Sequence, residues 1–406
     1  MKIYPNLPSI EDYEPYIGSE ATERIAAKAE KLRGRKVVHI NSTYYGGGVA
    51  ELLNAMTVLM NNAGIETGWR VIVGSPDFFG VTKKMHNALQ GAEINLSDRK
   101  DEIYESVVEQ NSVRMHLEHD FVVVHDPQPL PLIHHYRKRG PWIWVCHVDL
   151  SHPNGELWRY LRPTIEKYDE AVVSLPEYRQ ELDIPLRFIK PAIDPFSIKN
   201  RVMTEEEIDE RLDHYEIPRD LPIVAQVSRF DRWKDPQGVI KAFEKIRKEE
   251  GATLVLLGNT ATDDPEGMEL YTSLLEHKDD RIVLLSVEDT ALVNAVQSRA
   301  AVVVQKSLRE GFGLTVTEAM WKGTPVIGGN VGGIRHQIDD GVNGYLVDTV
   351  DQASDRIIKL LRDEKLRNSM GEKGKEKVRK NFLMTRYLED YLDLFLSFRC
   401  KYTLSD

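Results

Sequence analysis

Short apolar runs alternate with amphipathic stretches through the first half of the chain. A short apolar run bounded by glycine, proline or polar residues is typical of a buried strand, and apolar residues at every third or fourth position are typical of a helix. Strands are predicted at residues 36–42, 69–74, 121–125, 142–147, 171–174 and 186–189. Helices are predicted at residues 20–33, 82–89, 102–116 and 156–168, with another that follows a glycine turn and ends at Gly64. Residues 1–18 are predicted to form an irregular arm.

Two prolines in residues 190–197 interrupt this alternation, and we predict a domain boundary there, between residues 194 and 195. A second series of strands follows at residues 222–227, 252–257, 281–285, 300–304 and 324–327. Helices are predicted at residues 204–214, 238–249, 268–275, 290–299 and 314–322, and the tail from 352 to 398 is helical. Alternating strands and helices form parallel sheets. We therefore predict an α/β protein with two Rossmann-like, doubly wound domains facing each other across a cleft.

The composition narrows the functional classes. The chain has 406 residues, which suits two domains, and a net charge of −11, which does not suggest a nucleic-acid-binding surface. Only two cysteines are present, so we predict neither a disulfide framework nor a cysteine-rich zinc site. The first residues lack the apolar core of a signal peptide, and no run is long enough to span a membrane. These features predict a cytoplasmic protein that binds neither nucleic acid nor membrane.

Residues 305–330, QKSLREGFGLTVTEAMWKGTPVIGGN, are the strongest candidate for a functional site. A predicted strand leads into two glycines and then a helix, which would present free backbone N–H groups to a phosphate. Glu310 precedes the helix and Glu318 lies within it. Because carboxylates accept hydrogen bonds from hydroxyls, this arrangement suggests a sugar nucleotide. The alternative is an ordinary helix terminus with a solvated glutamate.

Arg229 and Lys234 follow another predicted strand, in the segment SRFDRWKDP. Two positioned cations could stabilise the charge that develops on a departing diphosphate without a metal ion. The alternative is a solvated run of charges. In the first half, the turn at Gly46, Gly47 and Gly48 would allow a phosphate or sugar to approach the backbone, although a glycine-rich turn without a ligand is also open. It does not match a dinucleotide fingerprint or a P-loop.

Histidine and aspartate residues end two predicted strands of the first half, at His125–Asp126 and at His147–Asp149. Such groups could carry out acid–base chemistry or bind sugar hydroxyls, and each histidine could equally be structural. Metal binding is a third option, but no H-E-x-x-H or similarly spaced set supports it, and we predict no metal site.

Several segments together resemble a known family. SRFDRWKDP, LREGFGLTVTEAMWKGTPVI, GGIRHQI and GVNGYLV, in this order and spacing, resemble the second domain of retaining family-4 glycosyltransferases of the GT-B fold. The segments HINSTYYGGGVAELL, HDPQPLPLI and WVCHVDLS look most like the trehalose glycosyltransferring synthases, which join glucose from a nucleotide-diphosphate glucose to free glucose. This resemblance covers nearly the whole chain. It implies that a helix at residues 384–406 returns to the first domain and that the second domain spans 195–383.

The resemblance also implies roles for individual residues. Arg229 and Lys234 would hold the diphosphate, and Glu310 would bind hydroxyls of the donor glucose. Glu318 would bind the ribose, and His147 would contact the donor sugar near the reacting carbon. Further donor-binding residues implied by the resemblance are Phe312, Gly313, Leu314, Thr315, Gly258, Asn259 and Val287. The implied acceptor-binding residues are Gly46, Gly47, Gly48 and Asp126.

The activity implied is reversible transfer of glucose, with retention of configuration, from ADP-, UDP- or GDP-glucose to glucose, giving α,α-trehalose. No cofactor is expected to be required, Mg²⁺ is at most a stimulant, and a homodimer is compatible with this reading. Alternatives are a related transferase that makes sucrose, sucrose phosphate or a glucan, and a sugar-nucleotide epimerase. A sensor that binds a sugar nucleotide without turnover is a further alternative, which intact Glu310, Arg229 and Lys234 disfavour.

Overall fold

The computed structural model describes residues 3–4, 6–45, 47–259 and 265–402. The chain divides into two compact units. The first unit is Met1–Ala192 together with Met384–Asp406, and the second is Ile193–Leu383. The boundaries predicted from the sequence lie after residues 194 and 383.

Within the described residues, the first unit is built on a six-stranded parallel sheet. Its strands are β1 (Lys36–Asn41), β2 (Glu66–Val71), β3 (Phe121–His125), β4 (Trp142–Cys146), β5 (Glu170–Val173) and β6 (Leu186–Phe188). Their order is β2-β1-β3-β4-β5-β6. The helices are α1 (Glu14–Ile17), α2 (Ser19–Glu30), α3 (Gly48–Asn62), α4 (Pro76–Leu89), α5 (Asp98–Ser112) and α6 (Gly155–Ile165). Every residue of β3 and β4 is buried, as expected for central strands covered on both faces.

The second unit repeats this plan. Its strands are β7 (Ile223–Val227), β8 (Thr253–Gly258), β9 (Ile282–Ser286), β10 (Val302–Gln305), β11 (Val326–Gly329) and β12 (Gly344–Val347), in the order β12-β11-β10-β7-β8-β9. Its helices are α7 (Glu205–His214), α8 (Pro236–Glu249), α9 (Pro265–Leu274), α10 (Thr290–Arg299), α11 (Leu314–Trp321), α12 (Ile334–Gln337), α13 (Val350–Arg362) and α14 (Glu364–Asn381). All strand pairs are parallel, so the predicted α/β class with two doubly wound sheets is confirmed.

The last helix, α15 (Met384–Tyr402), belongs to the first unit although it comes at the end of the chain. Its apolar residues fill one face of that unit's sheet, where Tyr391 and Phe395 are fully buried. The rings of Phe395 and Phe121 on β3 lie 4.5 Å apart, centroid to centroid. On the surface, Arg24 of α2 forms an ion pair with Glu389 of α15. The core of the first unit is therefore closed by the carboxyl-terminal helix.

Some elements differ from the sequence prediction. The arm at residues 1–18 contains two short helical segments, Ile10–Tyr13 and α1. Strand β2 begins at Glu66 rather than at residue 69, because it lies at the edge of the sheet and carries polar side chains there. Helix α4 begins at Pro76 rather than at residue 82, since Ser75 caps it by accepting a hydrogen bond from the Phe78 N–H.

Candidate active site

The topological switch point of the second sheet brings together the two loops with the candidate donor-site residues. Strand β7 pairs with β8 on one side and with β10 on the other, so the chain reverses its direction across the sheet at β7. Ligands of open α/β sheets bind outside the carboxyl ends of the strands at such a point. Arg229 and Lys234 lie on the loop after β7, and Glu310 lies on the loop after β10.

Lys234 and Glu310 form an ion pair, although 76 positions separate them in the sequence. The Lys234 Nζ lies 2.5 Å from Glu310 Oε2. The same oxygen accepts hydrogen bonds from the Ser307 hydroxyl at 3.1 Å and from the Gln305 amide at 3.4 Å. Because Glu310 is only 8% exposed, these donors compensate for the burial of its carboxylate. The structure thus brings together two residues to which the sequence resemblance gives catalytic roles.

Arg229 contrasts with this pair. Its side chain is exposed, and it forms no hydrogen bond or ion pair with any residue that the structure describes. A guanidinium carries five N–H donors and remains charged at any physiological pH. Arg229 is therefore available to an anionic ligand at the carboxyl edge of β7.

A second ion pair, between Lys306 and Asp235, also joins the loop after β10 to the loop after β7. Sequence analysis did not single out Lys306. Lys306 follows β10 directly, is 5% exposed, and pairs with Asp235. Asp235 has a φ of 51° and caps α8 by accepting a hydrogen bond from the Gly238 N–H at 3.0 Å. A lysine placed immediately after a buried strand was the available signal for Lys306, since lysine is rarely buried unless it is paired.

Trp233 also ties the loop after β7 to the loop after β10. Two guanidinium groups lie over its ring, that of Arg232 at 4.9 Å and that of Arg309 at 4.7 Å from the ring centroid. Its backbone carbonyl accepts a hydrogen bond from the Leu308 N–H at 2.7 Å. The two loops are consequently held as one assembly by backbone and side-chain contacts.

The first turn of α11 provides backbone donors at the same edge of the sheet. Gly313 precedes the helix with a φ of 84°, in the left-handed region that favours glycine. It offers no side-chain cap, so the N–H groups of Leu314 and Thr315 are open to an anion. The carbonyl of Phe312 accepts a hydrogen bond from the Gln337 amide at 2.6 Å, which fixes the glycine turn.

Glu318 lies on the buried side of α11 and is 3% exposed. One of its carboxylate oxygens accepts a hydrogen bond from the Gln297 amide at 3.3 Å, and the other lies 3.6 Å from the Lys199 Nζ. A ribose that binds Glu318 would have to share the carboxylate with Gln297 and Lys199.

Three of the donor-binding residues that the resemblance implies lie at neighbouring strand ends. The carbonyl of Gly258, the last residue of β8, accepts a hydrogen bond from the Val287 N–H at 2.8 Å, and Asn259 follows directly. A Cβ at Gly258 would lie 2.0 Å from the Ser228 carbonyl oxygen. Only glycine therefore allows β8 to approach the loop after β7 so closely.

In the first unit, Asp126 and His147 lie side by side after β3 and β4. Asp126 has a φ of 62°, which is unusual for a residue with a side chain. Its carboxylate accepts a hydrogen bond from the His147 backbone N–H at 2.8 Å, and its carbonyl accepts one from the Trp144 indole at 3.1 Å. These bonds hold the strained turn and place both side chains at the carboxyl edge of the sheet.

The glycine turn lies after β1, next to β3 in the same sheet. Gly47 has a φ of 85°, and α3 begins at Gly48. Gly46 falls outside the described residues. The two described glycines stand at the amino end of a fifteen-residue helix, as the sequence predicts.

Three histidines of the first unit form a hydrogen-bonded chain that sequence analysis did not predict. Nδ1 of His39, on β1, lies 3.0 Å from Nε2 of His125, and Nδ1 of His125 lies 2.9 Å from Nε2 of His147. His39 and His125 are completely buried, whereas His147 is partly exposed. His39 sits within an apolar strand and looks like a core residue in the sequence, so no local signal could have assigned it.

Burial keeps the inner histidines of this chain neutral. It lowers the pKa of His39 from 6.5 to about 3, and it lowers the pKa of His125 well below its ordinary value, with His147 nearby adding to both effects. Burial also lowers the pKa of His147, although the Asp126 carboxylate opposes this shift.

We expect these histidines to make the protein less stable in acid. Between pH 6.5 and 3 the unfolded state binds a proton at His39 that the folded state excludes. The free energy of unfolding should therefore fall by about 1.4 kcal/mol per pH unit for each such histidine. Urea unfolding at several pH values should show a shallower decline for His39→Leu than for the unsubstituted protein. An unchanged slope would contradict a neutral His39, and His116→Asn, at an exposed position, is the control.

Two features are absent from residues 3–4, 6–45, 47–259 and 265–402. No group of three or more histidine, cysteine, aspartate or glutamate side chains within those ranges is arranged to hold a metal ion. None of the described helices has the length and apolar character that a bilayer crossing requires.

Comparisons with known proteins agree with this architecture. Residues 39–180 match the family model described as trehalose synthase, N-terminal domain, and residues 207–377 match that of glycosyl transferases group 1. Trehalose synthase from Pyrococcus horikoshii is 47% identical over 399 residues, which are 96% of each chain. Trehalose synthase from Rubrobacter xylanophilus is 41% identical, over 97% of this chain and 98% of its own.

Among solved structures, sucrose-phosphate synthase from Thermosynechococcus elongatus has a TM-score of 0.70, covering 90% of this chain and 100% of that one. At 18% identity this likeness concerns the fold alone. The two family models together match most of the chain, and the trehalose synthases match nearly all of it. The chain belongs to the trehalose synthase family of glycosyltransferases with the GT-B fold.

Proposed function

We propose that the protein transfers glucose from a nucleotide-diphosphate glucose to free glucose, forming α,α-trehalose with retention of the α configuration. The observation that carries this proposal is the pairing of Lys234 with Glu310 at the switch point of the second sheet, together with the exposed guanidinium of Arg229 on the loop after β7, which has no hydrogen-bond or ion-pair partner among the described residues. Cations are suited to a departing diphosphate, and a carboxylate is suited to sugar hydroxyls. Membership of the family supports glucose and trehalose as the sugars.

The proposed reaction proceeds by front-face attack without a covalent enzyme intermediate. The bond between the anomeric carbon and the diphosphate oxygen breaks while a bond to the acceptor oxygen forms, and the acceptor's hydroxyl proton passes to the departing phosphate oxygen. Arg229 and Lys234 stabilise the negative charge that develops on the leaving group. The backbone N–H groups of Leu314 and Thr315 donate to the same phosphate.

The remaining residues are proposed to bind the two sugars and the nucleotide. Glu310 accepts hydrogen bonds from donor-glucose hydroxyls, and Glu318 accepts them from the ribose. His147 contacts the donor sugar. The nucleotide base is bound near Gly258, Asn259 and Val287. Phe312 and Gly313, which precede α11, lie against the diphosphate. The acceptor glucose is bound by Gly46, Gly47, Gly48 and Asp126.

The donor nucleotide, the metal requirement and the oligomeric state are also part of the proposed function. ADP-, UDP- and GDP-glucose are the candidate donors, and the reaction runs in both directions. No metal ion is required, so activity should persist in EDTA, and Mg²⁺ acts as a stimulant that pairs with the diphosphate. Sedimentation would test the proposed homodimer.

Product analysis tests the function directly. Purified protein is incubated with each nucleotide glucose and free glucose, and the disaccharide is identified by chromatography and by its resistance to reduction, because trehalose has no free anomeric centre. We expect α,α-trehalose and the nucleoside diphosphate in equal amounts. Fructose, fructose 6-phosphate and glycogen are offered as alternative acceptors in parallel.

Other outcomes would point to other functions. Faster turnover with fructose, fructose 6-phosphate or glycogen would indicate a related transferase, and an epimer formed without an acceptor would indicate an epimerase. Trehalose formed from maltose alone, or from glucose 1-phosphate and glucose, would show that no nucleotide sugar is used. Donor binding without any product would leave only a sensor.

A further inference from the structure

The three-histidine chain of the first unit has a definite direction. It starts at His39 in the middle of β1, passes through His125 at the end of β3, and reaches His147 just after β4. The inner two imidazoles have no exposed surface, and the outer one is partly exposed. The three-histidine chain therefore connects the interior of the sheet to its carboxyl edge, where Asp126 lies beside His147.

The two hydrogen bonds restrict where the protons can be. A neutral imidazole has one N–H donor and one nitrogen acceptor, and each contact in the chain needs one of each. In the first possible arrangement, every ring is protonated on Nδ1 and donates outward, from His39 to His125 and from His125 to His147. In the second, every ring is protonated on Nε2 and donates inward. A mixed arrangement would leave two protons or two lone pairs facing each other.

The inner end of the chain favours the first arrangement. Nε2 of His39 is buried and has no hydrogen-bond partner among the residues described. The second arrangement would place a proton there, which would leave a buried N–H without an acceptor, and orphaned buried N–H groups are rarer in proteins than under-satisfied acceptors. The ring of Tyr391 on α15 lies 5.9 Å from the ring of His39, centroid to centroid.

The outer end favours the same arrangement. The Asp126 carboxylate lies next to His147 and accepts a hydrogen bond from its backbone. A negative charge at this end attracts the positive ends of the N–H dipoles, so protons displaced outward are stabilised and protons displaced inward are not. The buried end and the charged end thus select one direction independently of each other.

We propose that His39 and His125 are positioning residues that hold His147 as its Nδ1–H tautomer, so that His147 presents an N–H donor at the carboxyl edge of the sheet. Its ligand is then a hydrogen-bond acceptor, namely a hydroxyl oxygen of the sugar. This assignment of a ligand rests on the proposed function, whereas the tautomer itself does not. The inner histidines act through His147 without contacting the sugar, as the orienting group of a catalytic triad acts through its base.

Nitrogen-15 spectroscopy tests the tautomer without requiring any activity. Protein labelled with [¹⁵N]histidine is examined by long-range ¹H–¹⁵N correlation at neutral pH, and the signals of the chain are assigned with His147→Gln and His125→Phe. We expect a protonated Nδ1 and a bare Nε2 for His147. In His125→Phe, the His147 ring should revert to the Nε2–H form that histidine prefers in water. A protonated Nε2 on His147 in the unsubstituted protein would overturn the proposal.

A kinetic comparison tests the positioning role through a conservative substitution at the buried end. His39→Leu removes the donor to His125, and we expect kcat/KM to fall roughly 10–100-fold. His39→Asn keeps an N–H at the position of Nδ1 and should recover most of this loss. His116 is exposed and lies outside the three-histidine chain, so His116→Asn should leave kcat/KM unchanged. A normal kcat/KM for His39→Leu would contradict the role, and if that variant fails to fold, the spectrum of the unsubstituted protein still decides.

Discussion

Replacing Arg229 with alanine is expected to lower kcat roughly 10²–10³-fold. The guanidinium is exposed and forms no hydrogen bond or ion pair within the described part of the chain, so its loss should leave the melting temperature unchanged. The reduction would then measure stabilisation of the departing diphosphate alone. Initial rates at saturating donor and acceptor give kcat, and thermal unfolding gives the stability.

Two further variants make this prediction specific. Arg229→Lys keeps the positive charge but loses the planar pair of donors, so its kcat should lie between those of alanine and arginine. Arg99→Ala removes an exposed arginine from the first unit and should have normal kinetics. Near-normal turnover of Arg229→Ala would rule out its role with the leaving group.

Replacing Lys234 with methionine is expected to lower kcat roughly 10³-fold and also to destabilise the protein. The substitution removes a cation from the leaving group and takes away the cationic partner of the buried Glu310 carboxylate. An uncompensated buried charge of this kind costs about 1–3 kcal/mol. Both kcat and the free energy of unfolding measured with urea should therefore fall, whereas Arg229→Ala should lower kcat alone.

A double substitution separates these two effects of Lys234. Changing Glu310 to glutamine in the Lys234→Met background removes the uncompensated charge, so stability should largely return. Activity should not return, because both the cation and the carboxylate are then absent. Lys241→Met, at an exposed position of α8, is the matched control. If the double variant recovered its turnover, the pair would be structural rather than catalytic.

The sequence predicted the fold well because parallel sheets are buried on both faces. Strands such as β3 and β4 are continuous apolar runs, and their alternation with helices leaves little choice of architecture. The prediction was weaker where burial is incomplete. The edge strand β2 carries polar residues, and the apolar run that follows its first residues shifted the predicted start to residue 69. The tail from residue 352 was predicted to be helical, with a last helix from residue 384 implied by the resemblance, but the break at Asp363 that separates α13 from α14 was not predicted.

The sequence predicted site residues one at a time, but it could not predict their partners. Lys234 and Glu310 each lie in a sequence motif of the family that the chain resembles. Their contact, however, depends on β7 and β10 being neighbours in the sheet. Lys306 and His39 were missed for a related reason. A charged or polar residue in or beside an apolar strand acquires a role only through a partner on another element, here Asp235 and His125.

The position of α15 has a consequence for synthesis of the protein on the ribosome. The first unit needs Tyr391 and Phe395 to close its core, so nearly the whole chain must be translated before that core is complete. Translation adds about 5–20 residues per second, and chains usually fold from the amino-terminal end as they are made. The second unit is continuous in sequence, so it can finish first although it emerges later. A nascent chain should therefore hold a folded second unit while its amino-terminal half still exposes apolar surface, the form most dependent on chaperones.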